Sequence, residues 1–153
     1  MVDLTQIVNY YPLSDRFVTA GMPTREQLGS LGAAGFERVI NLAVDESPDA
    51  VPDEAGVVRS QGLDYVHIPV VWEHPRLIDL RLFMDAMDDS REKKVFVHCV
   101  LNMRVSAFVF LYRVIRLKEP IEKAVEDMSS IWTPYDVWKD FLQTAMEYYR
   151  VGR

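Results

Sequence analysis

The 153-residue chain carries 17 basic and 23 acidic side chains, a net charge of -6, with 49% apolar residues. That length buries one adequate core, so a single domain over 1–153 is expected, without disulfide or metal staples. The acidic balance argues against nucleic acid, which needs clustered Lys and Arg, and the lack of a leader-like opening or a bilayer-length apolar run argues against a membrane and for a cytoplasmic protein.

Two short apolar runs, 9–11 and Phe17–Ala20, flank the turn-like Pro12-Leu13-Ser14-Asp15 and predict an opening hairpin or edge strand. Thr24 and Gln27 form a capping box, Leu28 and Leu31 lie one turn apart and Gly35 supplies a stop, which predicts a helix over about 24–34. The β-branched run Arg38–Leu42 reads as a buried strand, and Asp45-Glu46-Ser47-Pro48-Asp49 as the loop behind it. A short helix from Asp53 to Gln61 closed by Gly62, a strand over Tyr65–Val70 and the loop Trp72-Glu73-His74-Pro75 follow. Leu77, Leu80, Phe83, Met84 and Met87 recur at helical spacing, which predicts an amphipathic surface helix with Asp79 on its polar face.

Lys94–His98 is a compact apolar strand, and Ser106–Leu117 is too apolar for a surface helix, so a central buried helix is expected there. Pro120 to about Trp132 forms the next helix, and Thr133-Pro134 separates it from a last one carrying Val137, Trp138, Phe141, Leu142 and Met146. Trp132, Tyr135 and Trp138 read as packing aromatics. Together these elements predict an α/β fold: a mostly parallel central sheet of four to five strands flanked by helices, with a helical C-terminal third.

Cys99 is the one cysteine, which excludes an intrachain disulfide and leaves a buried thiol, an intermolecular link or a nucleophile. The strand ending at His98 runs into Cys99-Val100-Leu101-Asn102-Met103-Arg104-Val105-Ser106 and then into a helix. Such a loop aims backbone N–H groups and the positive end of a helix dipole at one point, which suits an oxyanion and favours thiolate over thiol. Arg104 offers a planar fork for two oxyanion oxygens, and Ser106 a hydroxyl for the thiolate or the leaving group. His67, His74 and His98 have no metal-ligand spacing and no second cysteine accompanies them, so neither a metal nor a cofactor is expected.

His98-Cys99 followed by Arg104 resembles the signature of cysteine phosphatases of the tyrosine and dual-specificity superfamily. Upstream, residues 17–24, Gln27-Leu28, Gly35-Phe36, Val39–Leu42 and 62–70 are similar to the bacterial phosphatase-like branch related to beta-lactamase-hydrolase-like proteins, so that the resemblance covers roughly 10–115. It implies a phosphatase-like fold and phosphomonoester hydrolysis, acting on a phosphorylated small molecule or phosphoprotein. On that resemblance Cys99 is the nucleophile, while Arg104, with Val100, Leu101, Asn102, Met103, Val105 and Ser106, surrounds the phosphate. Glu73, or in second place His74, is the general acid, and His98 supports the loop by hydrogen bonding.

The usual loop has five residues between Cys and Arg, followed by Ser or Thr; this chain has four. Counted from Cys99, Ser106 falls at the hydroxyl position, Val105 at the arginine and Asn102 at the glycine, where its tolerance of positive φ suits it. Counted from Arg104, the loop is shorter and similar to that of rhodanese sulfurtransferases, which implies a persulfide on Cys99. A catalytically weak module that binds a phosphorylated ligand is the third reading.

Overall fold

The computed structural model describes residues 2–152. Five strands, β1 (Tyr11–Pro12), β2 (Phe17–Ala20), β3 (Arg38–Asn41), β4 (Asp64–His67) and β5 (Val95–His98), form one sheet in the order β1-β2-β5-β3-β4. β1 pairs antiparallel with β2, and the other pairings are parallel. Helices α1 (Arg25–Leu28), α2 (Glu54–Arg59), α3 (Leu77–Asp88), α4 (Met103–Ile115), α5 (Ile121–Ser129) and α6 (Asp136–Tyr148) connect and cover it. The α/β architecture and helical C-terminal third follow the sequence pattern. Among the described residues, no helix is long and apolar enough to cross a membrane.

Strand alternation divides the interior in two. Val18, Phe96 and Val39 sit side by side across the sheet and join the core that includes Leu28 and Leu31 from the α1 segment and Val58 from α2. One residue further on, Val97 and Ile40 face the opposite way, into the larger core built by α3, α4 and α6. Helix α4 is buried on nearly every side, as its composition predicts, and packs on β2, α3, α5 and α6.

Two local expectations are corrected. The helix predicted over 24–34 stops at Leu28 and continues as turns to Gly35. After Gly29 the backbone bonds shorten, Ser30 N–H to the Gln27 carbonyl and Leu31 N–H to the Leu28 carbonyl, and the Gln61 side chain is inserted between Gly32 and Leu28. Gly32 N–H donates to Gln61 Oε1 at 2.8 Å, and Gln61 Nε2 donates to the Leu28 carbonyl at 2.9 Å.

Asp79, expected on the polar face of α3, is buried. Its carboxylate folds back to accept from the Arg76 backbone N–H at 3.2 Å and from the Arg76 guanidinium at 2.7 Å, closing the helix N-terminus.

The C-terminal helices are tied to the first strand by charge. Arg113 of α4 donates to Glu119 and to Asp127 of α5, and Tyr11 Oη donates to Asp127 at 2.7 Å. Burial alone would raise the Asp127 pKa, but the bonds from Arg113 and Tyr11 outweigh it and hold that carboxyl below its ordinary value. A depressed folded-state pKa contributes stability above the unfolded value of about 4, which is lost as pH falls through the folded value. Asp127→Asn should therefore lower stability at pH 7 by about 2 kcal/mol. Urea unfolding should show that difference shrinking at pH 3; a difference unchanged from pH 7 to pH 3 would contradict it.

Candidate active site

Alternation along β5 also determines where the two residues at its end point. His98 lies in register with Ala20 and Asn41 and turns toward α2, while Cys99 belongs to the α4 side. Only 1% exposed, Cys99 lines a pocket of about 280 Å³ shared with Trp72, Leu101, Met103, Arg104 and Tyr135.

The loop after Cys99 is held from behind at three successive carbonyls. The Cys99 carbonyl lies 3.1 Å from His98 Nδ1, that of Val100 accepts from Met22 N–H at 2.9 Å, and that of Leu101 accepts from Asn9 Nδ2 at 2.8 Å. In a planar trans peptide the N–H points opposite the C=O. The N–H groups of Val100, Leu101 and Asn102 therefore face away from His98, Met22 and Asn9.

Among the described residues, none of the six N–H groups from Val100 to Val105 finds an acceptor within the chain. The last three belong to the open first turn of the 13-residue helix α4.

Asn102 makes this turn possible. Its φ of 64° is the left-handed conformation that the step from β5 into α4 requires, and Asn tolerates it better than other L-residues. Its side chain donates to the Asn9 carbonyl at 2.9 Å and to Thr19 Oγ1 at 3.0 Å, while Asn9 donates back to Leu101. Gly21 stands against the same loop, where an added Cβ would lie 2.4 Å from the Val100 carbonyl oxygen.

Arg104, 7% exposed, sits on the pocket wall. Its Nη1 donates to the Val70 carbonyl at 2.8 Å, and its Nε is buried with no partner. Val105, at the arginine position when counting from Cys99, is buried in the core and outside the pocket lining. Ser106 also lies outside that lining. Its hydroxyl donates to the Met103 carbonyl and accepts from Trp132 Nε1 at 3.0 Å.

The remaining sequence candidates lie on the turn after β4. Its His74 N–H donates to the Val71 carbonyl, and Glu73 and His74 are exposed beside Trp72. Trp72 packs on Trp132 and Trp138 with ring centroids 5.4 and 5.5 Å apart, and its carbonyl accepts from Trp138 Nε1. These contacts fix the turn at the pocket. Tyr135, read from sequence as packing, is 54% exposed on the rim. Sequence reasoning missed Trp72 as a pocket wall and Asn9 and Met22 as supports, because these contacts join segments distant in the chain.

A cysteine at a strand end, followed by a loop of free N–H groups and a buried helix, is the arrangement of the dual-specificity and tyrosine phosphatase fold. The model of the family described as DSP-PTPase phosphatase fused to NAD+ kinase matches residues 8–136, and the chain belongs to that family. A DUF442 protein of Shewanella putrefaciens, described as a candidate phosphatase, is 35% identical, with a TM-score of 0.83 over 95% of this chain and 96% of that one. TpbA of P. aeruginosa shares the fold at 18% identity and a TM-score of 0.64, over 98% of this chain and 87% of that one. The beta-lactamase hydrolase-like protein of Agrobacterium fabrum is 32% identical over 90 residues, which is 57% of this chain and 21% of that protein. The chain thus spans about a fifth of the curated relative it matches.

Substitutions at Asn102 separate its two roles, because Ala and Gly both remove the side-chain bonds but only Gly tolerates the left-handed turn. Asn102→Ala should be less stable than Asn102→Gly by about 1–2 kcal/mol in urea unfolding. Equal stabilities would show that the turn carries no strain.

Proposed function

We propose that the pocket above Cys99 binds a phosphoryl group and that the protein hydrolyses phosphomonoesters through a phosphocysteine. The observation that carries this reading is the run of six unpartnered N–H groups between Cys99 and the first turn of α4. They supply fixed positive dipoles where charge develops on the equatorial oxygens, and the same dipoles favour the thiolate.

The Cys99 thiolate attacks phosphorus, forming the S–P bond as the P–O bond to the alcohol breaks. Glu73, protonated, gives its proton to the departing oxygen, then takes one from the water that cleaves S–P and releases phosphate. Arg104, which lines the pocket and whose buried Nε has no partner, adds the guanidinium charge. TpbA of P. aeruginosa has been crystallised with phosphotyrosine, which supports an aryl phosphate as the first substrate to test.

Wild-type protein should release p-nitrophenol from p-nitrophenyl phosphate, Cys99→Ser should abolish turnover, and Glu73→Gln should lower kcat by about 100-fold. Equal rates for wild type and Cys99→Ser would remove Cys99 from the mechanism.

The four-residue interval between Cys99 and Arg104 supports one second reading, sulfur transfer. Cys99 would take the outer sulfur of thiosulfate, forming one S–S bond as another breaks and sulfite leaves. Intact mass after thiosulfate treatment separates the two: a gain of one sulfur without phosphatase turnover favours transfer, and an unchanged mass with turnover favours hydrolysis.

A further inference from the structure

Glu54 is a buried carboxylate that the hydrolytic scheme above leaves without a task. It is the first residue of the short helix α2, and the preceding residue turns it inward. Asp53 adopts a left-handed conformation, φ 54° and ψ 45°, and caps α2 by accepting from Gly56 N–H. An added Cβ at Gly56 would lie 2.3 Å from Asp53 Oδ2, so the cap also fixes the residue type there. The turn leaves Asp53 in solvent and brings Glu54 onto the face of the sheet to which His98 points.

The two side chains meet at a short distance. Glu54 Oε2 lies 2.6 Å from His98 Nε2, and the other ring nitrogen, Nδ1, lies 3.1 Å from the Cys99 carbonyl oxygen. Carbonyl and carboxylate oxygens only accept, and a neutral imidazole has one N–H to give. The imidazolium has two, one for each partner. A buried charge is tolerated only when paired, and the Glu54 carboxylate is that counter-charge.

We propose that Glu54 is a positioning residue that keeps His98 protonated on both ring nitrogens, so that a buried imidazolium holds the Cys99 carbonyl and favours the adjacent thiolate. The inference rests on the reading of Cys99 as a nucleophile, and it assigns to Glu54 control over the pH range in which that nucleophile is ionised. Loss of the pair would free the first of the three restrained carbonyls and weaken the orientation of the Val100 N–H.

Few other ionisable groups compete for this role. On the α2 side, Asp45 and Asp53 from the connecting loop and Tyr65 and His67 from β4 line the cavity that Glu54 borders. Burial, together with the Glu54 charge and despite a bond from Asn41, pushes the Tyr65 hydroxyl far above its ordinary pKa, so it stays neutral. His67 Nε2 is 2.6 Å from the Ala43 carbonyl and its Nδ1 is 3.9 Å from Asp45, so both its nitrogens face other partners. Phe96 and Asn41, the ring neighbour and the strand neighbour of His98, carry no charge. On the other side of the sheet Arg104 lines the Cys99 pocket.

Alkylation of Cys99 by iodoacetamide reports the thiolate without requiring turnover. In Glu54→Gln, the pH at which the alkylation rate reaches half its plateau should rise by about one unit relative to wild type. The same substitution in a His98→Asn background should cause no further rise, because the effect runs through the ring. A midpoint unmoved in Glu54→Gln, or moved equally in both backgrounds, overturns the proposal.

If the Glu54 variants do not fold, the wild-type protein still decides. Its His98 ring should show two protonated nitrogens in a 15N spectrum at pH 7, and a single protonated nitrogen overturns the proposal. A wild type inactive on aryl phosphates whose midpoint still responds to Glu54→Gln would reject the hydrolytic reading while the Glu54 assignment stands.

Discussion

The site depends on which way three peptide planes are turned. Left free, the carbonyls of Cys99, Val100 and Leu101 could point into the loop and fill it with negative dipoles, and no anion would enter. Instead each is held from behind, by His98, by the Met22 backbone and by the Asn9 side chain. Planarity of the peptide then sends the following N–H the other way. The Asn102 and Asn9 side chains cross-brace the loop with the opening segment, so the orientation is a property of the tertiary fold and not of the loop alone.

The same sheet that builds the core distributes the chemistry. Because consecutive side chains on β5 face opposite sides, His98 meets α2 while Cys99 meets the pocket walled by Trp72 and Tyr135. A largely buried α4 gives the loop a rigid floor, and the tryptophans around Trp72 hold the turn after β4 against the same pocket. The groups around Cys99 are therefore carried on elements whose packing already fixes them, which is what preorganised electrostatics requires.

Much of this was legible in the sequence where the signal was local. The alternation of short apolar strands with helices predicted the α/β layers, and a strand running through His98-Cys99 into a helix placed the cysteine at a strand end. The family resemblance put Asn102 at a glycine position, where its residue type tolerates the positive φ it adopts. What escaped was contact between distant segments: Asn9 and Asn102 are 93 residues apart, and Glu54 and His98 are 44 apart. No periodicity records such pairs. Asp79 and Gln61 escaped for a related reason, since each satisfies backbone groups that a polar-face or helix-length reading leaves to solvent or to the helix itself. The destination of Arg104 was likewise set by the Val70 carbonyl, on a strand extension whose approach only the fold determines.

The most direct test of the anion cradle follows the backbone itself. Titration of uniformly 15N-labelled protein with inorganic phosphate should move the amide signals of Val100 through Val105 together, saturating with one binding constant, while signals from α2 and α6 stay in place. Saturable movement elsewhere with those six amides unmoved, or no saturation at millimolar phosphate, would contradict an oxyanion site at this loop.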